Sequence, residues 1–508
     1  MVVLSRRKFI YSAVALAAVP QLLLAGDPVP VEYFQHGLAS GDGTQDRIII
    51  WTRITAKHYD GSLVYWELAE SKNFSVGLRS GSCKISADHD YTVKIDVAGL
   101  ASGKIYYYRF KYKGNYSIIG TTSTLPDSLA IKDLHIAVVS CNNWEDGYFN
   151  SFRFIAQKEE VDMVLHLGDY IYEYATGQYG NKESKRINDP LHEIITLSDY
   201  RQRYAQYRTD SDLQLLHLRK PFYMIWDDHE LANDAYKDGA KNHQSNEGKW
   251  SDRKSAAIQA YLEWLPVRAK SEKDIVRKFT IGDDMELFLL DERAQGRTVQ
   301  FGIGEEGIDG SERAILGEMQ YQWLAAALKN SKAKWKLIAN QVMFAGYQVA
   351  PGFKTPKYSD WWLGYPHERK KIIGLLEEHQ ISNVVFLTGD HHQSFVLAIH
   401  PEHELKHYQT PYSKPPLAWE LLTPSITSKN GDRLTNNEID VFEKMLYDKS
   451  VNPHLVFADI KNHGYYIATL SKSKLQSSYY FVDNILSKNA IERKEATFNI
   501  DAETFTIS

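Results

Sequence analysis

The stretch FLTGDHHQSF, residues 386–395, is apolar through Phe386 and Leu387, turns at Gly389, and then presents Asp390, His391 and His392. A short apolar run that ends in an acid and two imidazoles suits a buried strand whose end opens on a polar site. The same form recurs along the chain after Asp133. The runs are LHIAVVSC (134–141), VDMVLHLGD (161–169), FYMIWDDHE (222–230), MELFLLDER (285–293), WKLIANQV (335–342) and NVVFLTGDHH (383–392). Between them lie stretches of helical period, among them SDRKSAAIQAYLEWL (251–265), EMQYQWLAAALKN (318–330) and ERKKIIGLLEEHQ (368–380). Strands apolar on both faces and alternating with helices predict a layered α/β/α domain over residues 133–508. Ser245 or Ser251 is placed to cap the first of these helices, and Asn330 to close the second. Residues 173–215 read as a polar, partly helical insertion. HGYYIATLSK (463–472) and ATFNIDAETFTIS (496–508) read as terminal strands.

Residues 28–125 have a different texture. IIIWTRI, LVYWELAE, YTVKIDV and KIYYYRFKY are short β-branched and aromatic runs separated by Gly, Asn, Asp and Ser. Their spacing predicts a small all-β domain of immunoglobulin or fibronectin type, a β sandwich, with GTTSTLPDSLAIKD (120–133) as its linker. Ahead of it, SRRKFIYSAVALAAVPQLLLAG sets Arg6 and Arg7 before Phe9, Ile10 and a short apolar stretch. A charged n-region followed by a short h-region marks residues 1–26 as a targeting segment, with cleavage near Ala25. The twin arginines resemble a bacterial twin-arginine export signal. That resemblance implies a partner in the twin-arginine export machinery, a secreted or periplasmic destination, and no stable membrane span in the mature chain.

The chain has 508 residues, 43% of them hydrophobic, which is ample for a large core and more than one domain. A formal net charge of −5, with no long basic run, gives nucleic acid no surface to recognise. The two cysteines, Cys83 and Cys141, can pair only with each other, so this is not a disulfide scaffold. Oligomeric state is not written in these features.

The strand ends carry the chemistry. In open α/β sheets the carboxyl ends of the strands form the ligand crevice, so residues far apart in sequence converge there. Cys141, Asp169, Tyr172, Asp227 to Glu230, Asn233, Arg293, Asn340, Asp390 and His392 all fall at or just beyond such ends. Several carboxylates gathered together repel unless cations neutralise them. A thiolate, a phenolate and an imidazole suit a transition metal, while carboxylates and amide oxygens suit Ca²⁺ or Mg²⁺. Gly389 would leave room for close approach of the ions. Each piece also has a plain reading. Cys141 serves as a small buried hydrophobe, Asp227 to Glu230 as the acidic first turn of a helix, and Arg293 as a partner for Asp291 or Glu292. What sets them apart is one shared position on successive strands.

These motifs resemble the alkaline phosphatase D (PhoD-like) family of the calcineurin-like metallophosphoesterase superfamily. The resemblance rests on Ser140-Cys141, HLGDYIYE (166–173), WDDHE (226–230), NQVMF (340–344) and Gly389-Asp390-His391-His392. It covers most of the chain, and it departs from the wider superfamily in Cys141 and Asp390. It implies a phosphoesterase with one ferric ion, Fe(3+), and two calcium ions, Ca(2+). Carried over by position, Cys141, Asp169, Tyr172 and His392 are the expected iron ligands, with Asp169 bridging to calcium. Asp228, Asp390 and Asn340 are the expected calcium ligands. His229 is expected to stabilise the transition state or protonate the leaving group, Asn233 to bind calcium or phosphate, and Arg293 to clamp phosphate. The substrate class is a phosphate ester, monoester or diester. The alternatives are a phosphodiesterase or phospholipase-type enzyme on a bulkier substrate, and a non-catalytic phosphate-binding surface protein.

Overall fold

A computed structural model of the chain describes residues 32–128, 133–302, 304–348, 360–401 and 415–508. The export-type leader expected over 1–26 lies outside the described residues. The first strands are β1 (Leu38–Gly41), β2 (Arg47–Arg53), β3 (Val64–Ala69), β4 (Arg79–Cys83), β5 (Thr92–Ala98), β6 (Ile105–Tyr112), β7 (Asn115–Tyr116) and β8 (Gly120–Ser123). Then come β9 (Leu134–Val139), α1 (Asn150–Gln157), β10 (Met163–His166), α2 (Leu197–Tyr207), α3 (Ser211–Arg219), β11 (Phe222–Met224) and α4 (Trp250–Trp264). The next stretch holds β12 (Arg277–Ile281), β13 (Met285–Leu289), α5 (Gly317–Asn330), β14 (Trp335–Asn340), α6 (Pro366–Glu378) and β15 (Val384–Thr388). The last holds β16 (Ser394–Ile399), β17 (Ala418–Leu422), α7 (Asn436–Leu446), β18 (Leu455–Asp459), β19 (His463–Leu470), β20 (Lys474–Val482) and β21 (Glu492–Asp501).

Near the N-terminus, β3, β4, β6, β7 and β8 form one sheet, and β1, β2 and β5 lie against it. Period-two alternation fixes the inner faces: in β6, Tyr106, Tyr108, Phe110 and Tyr112 are buried while the residues between them are not. They meet Leu38, Ile48, Ile50 and Val93 in a shared core. β1 also pairs in parallel with β11, Gly41 opposite Phe222. Glycine is required there, because a Cβ on Gly41 would lie 2.5 Å from the Phe222 carbonyl oxygen. The N-terminal strands thereby extend a nine-stranded sheet of order β21-β20-β19-β9-β10-β11-β1-β2-β5.

A second sheet of seven strands has the order β12-β13-β14-β15-β17-β16-β18. The mixed α/β class is as expected, but the strands are divided between two sheets that face each other, with helices outside. The alternation shows how. Leu287, Leu289, Ala339, Val385 and Leu387 join the core shared with the first sheet. Phe288, Ile338, Val384 and Phe386 point the other way, onto Leu324 and Leu328 of α5 and Ile372 and Leu376 of α6. A strand buried on both faces does not record whether helix or sheet covers each one. Across the two sheets, Thr423 Oγ1 donates to the Val138 carbonyl (3.0 Å) and Tyr466 Oη to that of Leu421 (3.3 Å).

Two helix starts follow from local chemistry. Thr196 and Asp199 form a capping box on α2, and the Asp210 carboxylate accepts two N–H groups at the start of α3. α4 begins after Lys249 with no side-chain cap, so neither Ser245 nor Ser251 fills that role. Among the described residues, no helix is long and apolar enough to cross a membrane.

Candidate metal centre at the strand ends

β9, β10 and β11 are parallel neighbours in the first sheet, and β13, β14, β15 and β17 in the second. The carboxyl ends of both sets meet along one rim. The loops there are tightly tied: the Cys141 N–H donates to the Gly168 carbonyl and the Asn142 N–H to that of Asp169, both at 3.1 Å. Cys141 (φ 61°), Asp169 (57°), Asp390 (56°) and His392 (64°) all sit in the left-handed region. That conformation is costly for residues with a Cβ, and four instances together indicate backbone held in place by its surroundings. Gly389 does not open a path for ions. A Cβ there would lie 3.1 Å from Leu167 Cβ and 3.2 Å from Ser140 Cβ, so its bareness lets three loops close on one another.

Three groups of candidate ligands result, each with its ligand atoms within 4.8 Å of one another. They are Cys141, Asp169 and His392; Asp169, Asp228 and His229; and Asp227, Asp228 and Asp390. Asp169 joins the first to the second, and Asp228 the second to the third. Tyr172 belongs with the first group: its hydroxyl donates to Asp169 Oδ2 at 2.9 Å and lies 3.4 Å from His392 Nε2. His392 Nδ1 is engaged by the Lys429 carbonyl at 2.7 Å. That bond anchors Nδ1 and turns Nε2 toward Asp169.

His229 is held in the same manner. Its Nδ1 lies 2.7 Å from Glu173 Oε2, and its ring stacks on Tyr172 with centroids 4.2 Å apart. Glu173 is fully buried and also accepts the Asn233 N–H and the Asn242 side chain, both at 2.8 Å. Asn233 is thereby placed beside His229, half-buried, by its backbone.

Arg293 and Asn340 are both engaged by other residues of the chain. Arg293 is wholly buried and points its fork at carboxylates: Nε to Asp227 (2.5 Å), Nη1 to Asp360 (2.6 Å) and Nη2 to Asp390 (3.0 Å). A guanidinium placed in this way is a counter-charge for the acidic cluster. Asn340 donates to Thr388 Oγ1 at 3.0 Å and to the Val342 carbonyl, and accepts from Trp362 Nε1 at 3.1 Å. Its amide braces the ends of β14 and β15.

One arginine cannot balance the acids present. Burial pushes the Asp227 and Asp390 carboxyls well above the usual carboxylate range, against the pull of Arg293. Burial and then the Asp169 charge push the Cys141 thiol and the Tyr172 phenol well up. Asp169 itself stays low although burial opposes it, because the His229 and His392 imidazoles face it. The buried oxygens Asp227 Oδ2 and Asp228 Oδ1 have no hydrogen-bond partner. A thiol and a phenol that ionise only beside a cation, an imidazole lone pair and orphaned carboxylate oxygens fit metal ions, soft and hard together.

Sequence reasoning did not single out the residues that hold this arrangement. Glu173 closes HLGDYIYE, but an acid five residues beyond a glycine carries no distinguishing signal. Glu230 was legible only as part of WDDHE. Its buried carboxylate accepts the N–H groups of Asp169 (3.0 Å), Asp227 (2.9 Å) and Tyr170 (2.8 Å), binding the β10 and β11 loops together. Both carboxylate oxygens accept, so Glu230→Gln must turn an NH₂ toward an N–H. The variant is expected to lose about 2 kcal/mol of stability, read from its urea midpoint.

Two family descriptions match the chain: PhoD-like phosphatase over residues 136–479, and PhoD-like phosphatase, N-terminal domain, over residues 25–126. Alkaline phosphatase D of Bacillus subtilis (strain 168) is 32% identical over 489 residues, covering 92% of this chain and 80% of its own length. A solved structure of PhoD superposes with a TM-score of 0.83 at 30% identity, covering 94% of this chain and 92% of that one.

Proposed function

The chain belongs to the PhoD-like phosphatase family and is a phosphate-ester hydrolase, and on that premise we propose an exported, metal-dependent phosphoesterase acting on phosphomonoesters, phosphodiesters or both. The observation that carries the metal dependence is the set of three ligand groups joined through Asp169 and Asp228. Cys141, Asp169, Tyr172 and His392 would hold ferric iron. Asp169, Asp227, Asp228 and Asp390 would hold two calcium ions. Bound there, the cations would supply charge for the ester's oxygens and acidify the attacking water.

The protein's own residues do the rest. His229, its Nδ1 held by Glu173, has Nε2 to offer a proton to the departing alkoxide. Asn233 sits beside it, in reach of the ester's oxygens. Arg293 keeps Asp227, Asp228 and Asp390 in register while the ions come and go. Arg6 and Arg7 support export by the twin-arginine route to the periplasm or beyond. That route suits a protein that acquires its metals while folding.

Dialysis against EDTA should lower phosphate release from 4-nitrophenyl phosphate by at least about 100-fold, with recovery on adding Ca²⁺ and Fe³⁺. Undiminished turnover in protein shown by elemental analysis to be stripped of metal would sink the reading. A matched panel of monoesters and diesters, compared by kcat/KM, assigns the substrate class.

A further inference from the structure

Resting on the phosphoesterase reading, we propose that Lys429, seated on Tyr179 at the rim of the centre, forms a subsite for a second negatively charged group on the alcohol portion of the ester. The segment bearing it lines the centre. Ser428 Oγ lies within hydrogen-bond distance of the Tyr172 hydroxyl and the Cys141 carbonyl, and the Lys429 carbonyl receives His392. The side chain of Lys429 leaves this wall and sets its ammonium 3.7 Å from the centroid of the Tyr179 ring. Tyr179 is stacked on Tyr172 at 5.6 Å and on Tyr174 at 4.8 Å, and lies 5.8 Å from the His229 ring. The ammonium and the ring of the residue expected to protonate the leaving group thus both lie against Tyr179.

Its charge is only partly answered by the protein, through Asp146. The nearby Asp146 is taken by Arg433 at 2.5 Å and by Asn143 at 2.6 Å. Among the described residues Lys429 has no carboxylate ion pair. Burial first, and then the Arg433 charge, lower the pKa of its ammonium. A half-buried cation held over a ring, with a second cation near and its one neighbouring carboxylate already bound to that cation, attracts an anion. The acidic cluster deeper in the site would be neutralised by its ions, so it would not compete for Lys429. An ester whose alcohol carries a carboxylate, phosphate or sulfate one ring's length from the scissile oxygen satisfies this geometry.

The test compares two esters of equal shape, 4-carboxyphenyl phosphate and 4-carbamoylphenyl phosphate, on the metal-loaded enzyme. The charged ester should be favoured about 5-fold in kcat/KM, the difference lying in KM. The preference should vanish in Lys429→Met, persist in Lys429→Arg, and shrink at about 0.5 M salt. Equal kcat/KM for the two esters in the native enzyme overturns the proposal, as does a preference that survives in Lys429→Met. The second result would mark the lysine as loop packing, which lowers both esters alike. Failure to turn over either ester would instead remove the phosphoesterase reading, and the subsite with it.

Discussion

Asp169→Asn should lower phosphate release by at least about 1,000-fold while the thermal midpoint changes little, the scale on which one member of a catalytic unit acts. Asp169 is the corner shared by two of the three ligand groups. One oxygen receives the Tyr172 hydroxyl at 2.9 Å, and the other the His229 N–H at 3.4 Å. An amide keeps the shape but loses the charge, and would turn an NH₂ toward one of the two ligand groups that Asp169 joins. Asparagine also tolerates the left-handed backbone, φ 57°, better than most residues, so strain would not explain the loss. Activity and bound metal should fall together. A variant retaining activity within about tenfold of the native enzyme would show that the centre does not turn on this residue.

Gly168→Ala should act through geometry. Gly168 has φ 103°, where an L side chain is strained, and a Cβ there would lie 2.4 Å from both the Cβ and the backbone nitrogen of Asp227. Those atoms belong to the β11 loop, so relief of the overlap must move Asp227 and Asp228 away from Asp169. The expected cost is about 3 kcal/mol or more of stability. A shift near 1 Å among reacting groups is worth about 100-fold in rate. Urea unfolding and kcat/KM measure the two effects separately. Gly248→Ala is the control: its φ is 91° but nothing lies within 4 Å of the added carbon, so only the backbone term applies and activity should hold.

How far the sequence speaks depends on what each residue type records. Apolar runs report burial, so LHIAVVSC and NVVFLTGDHH were readable as strands and became β9 and β15. They do not report which partner covers them, so the division into two sheets was invisible. Cys141, Asp169, Tyr172, Asp228, His229, Asp390 and His392 were found because they share one place, the strand end. Asn340 shares that place too, and its amide is nonetheless absorbed by Trp362 and Thr388. Position alone does not report such hydrogen bonds. The pairing of Arg293 with Asp360, nearly seventy residues on, gives no sign in sequence. The strand KLQSSYYFV, β20, was passed over because its polar serines and glutamine hide the alternation.

β9, the strand that leads to Cys141, has β10 on one side and β19 on the other. Its second neighbour, His463–Leu470, is translated more than three hundred residues later. While the chain is still growing on the ribosome, the central strand has one side without a partner, and the loop that ends in Cys141 lacks its final support. Such long sequence separation slows assembly and leaves a partly made chain sticky. Completion of the cage must therefore wait until nearly all of the polypeptide has been synthesised, and ions arriving sooner would meet scattered donors.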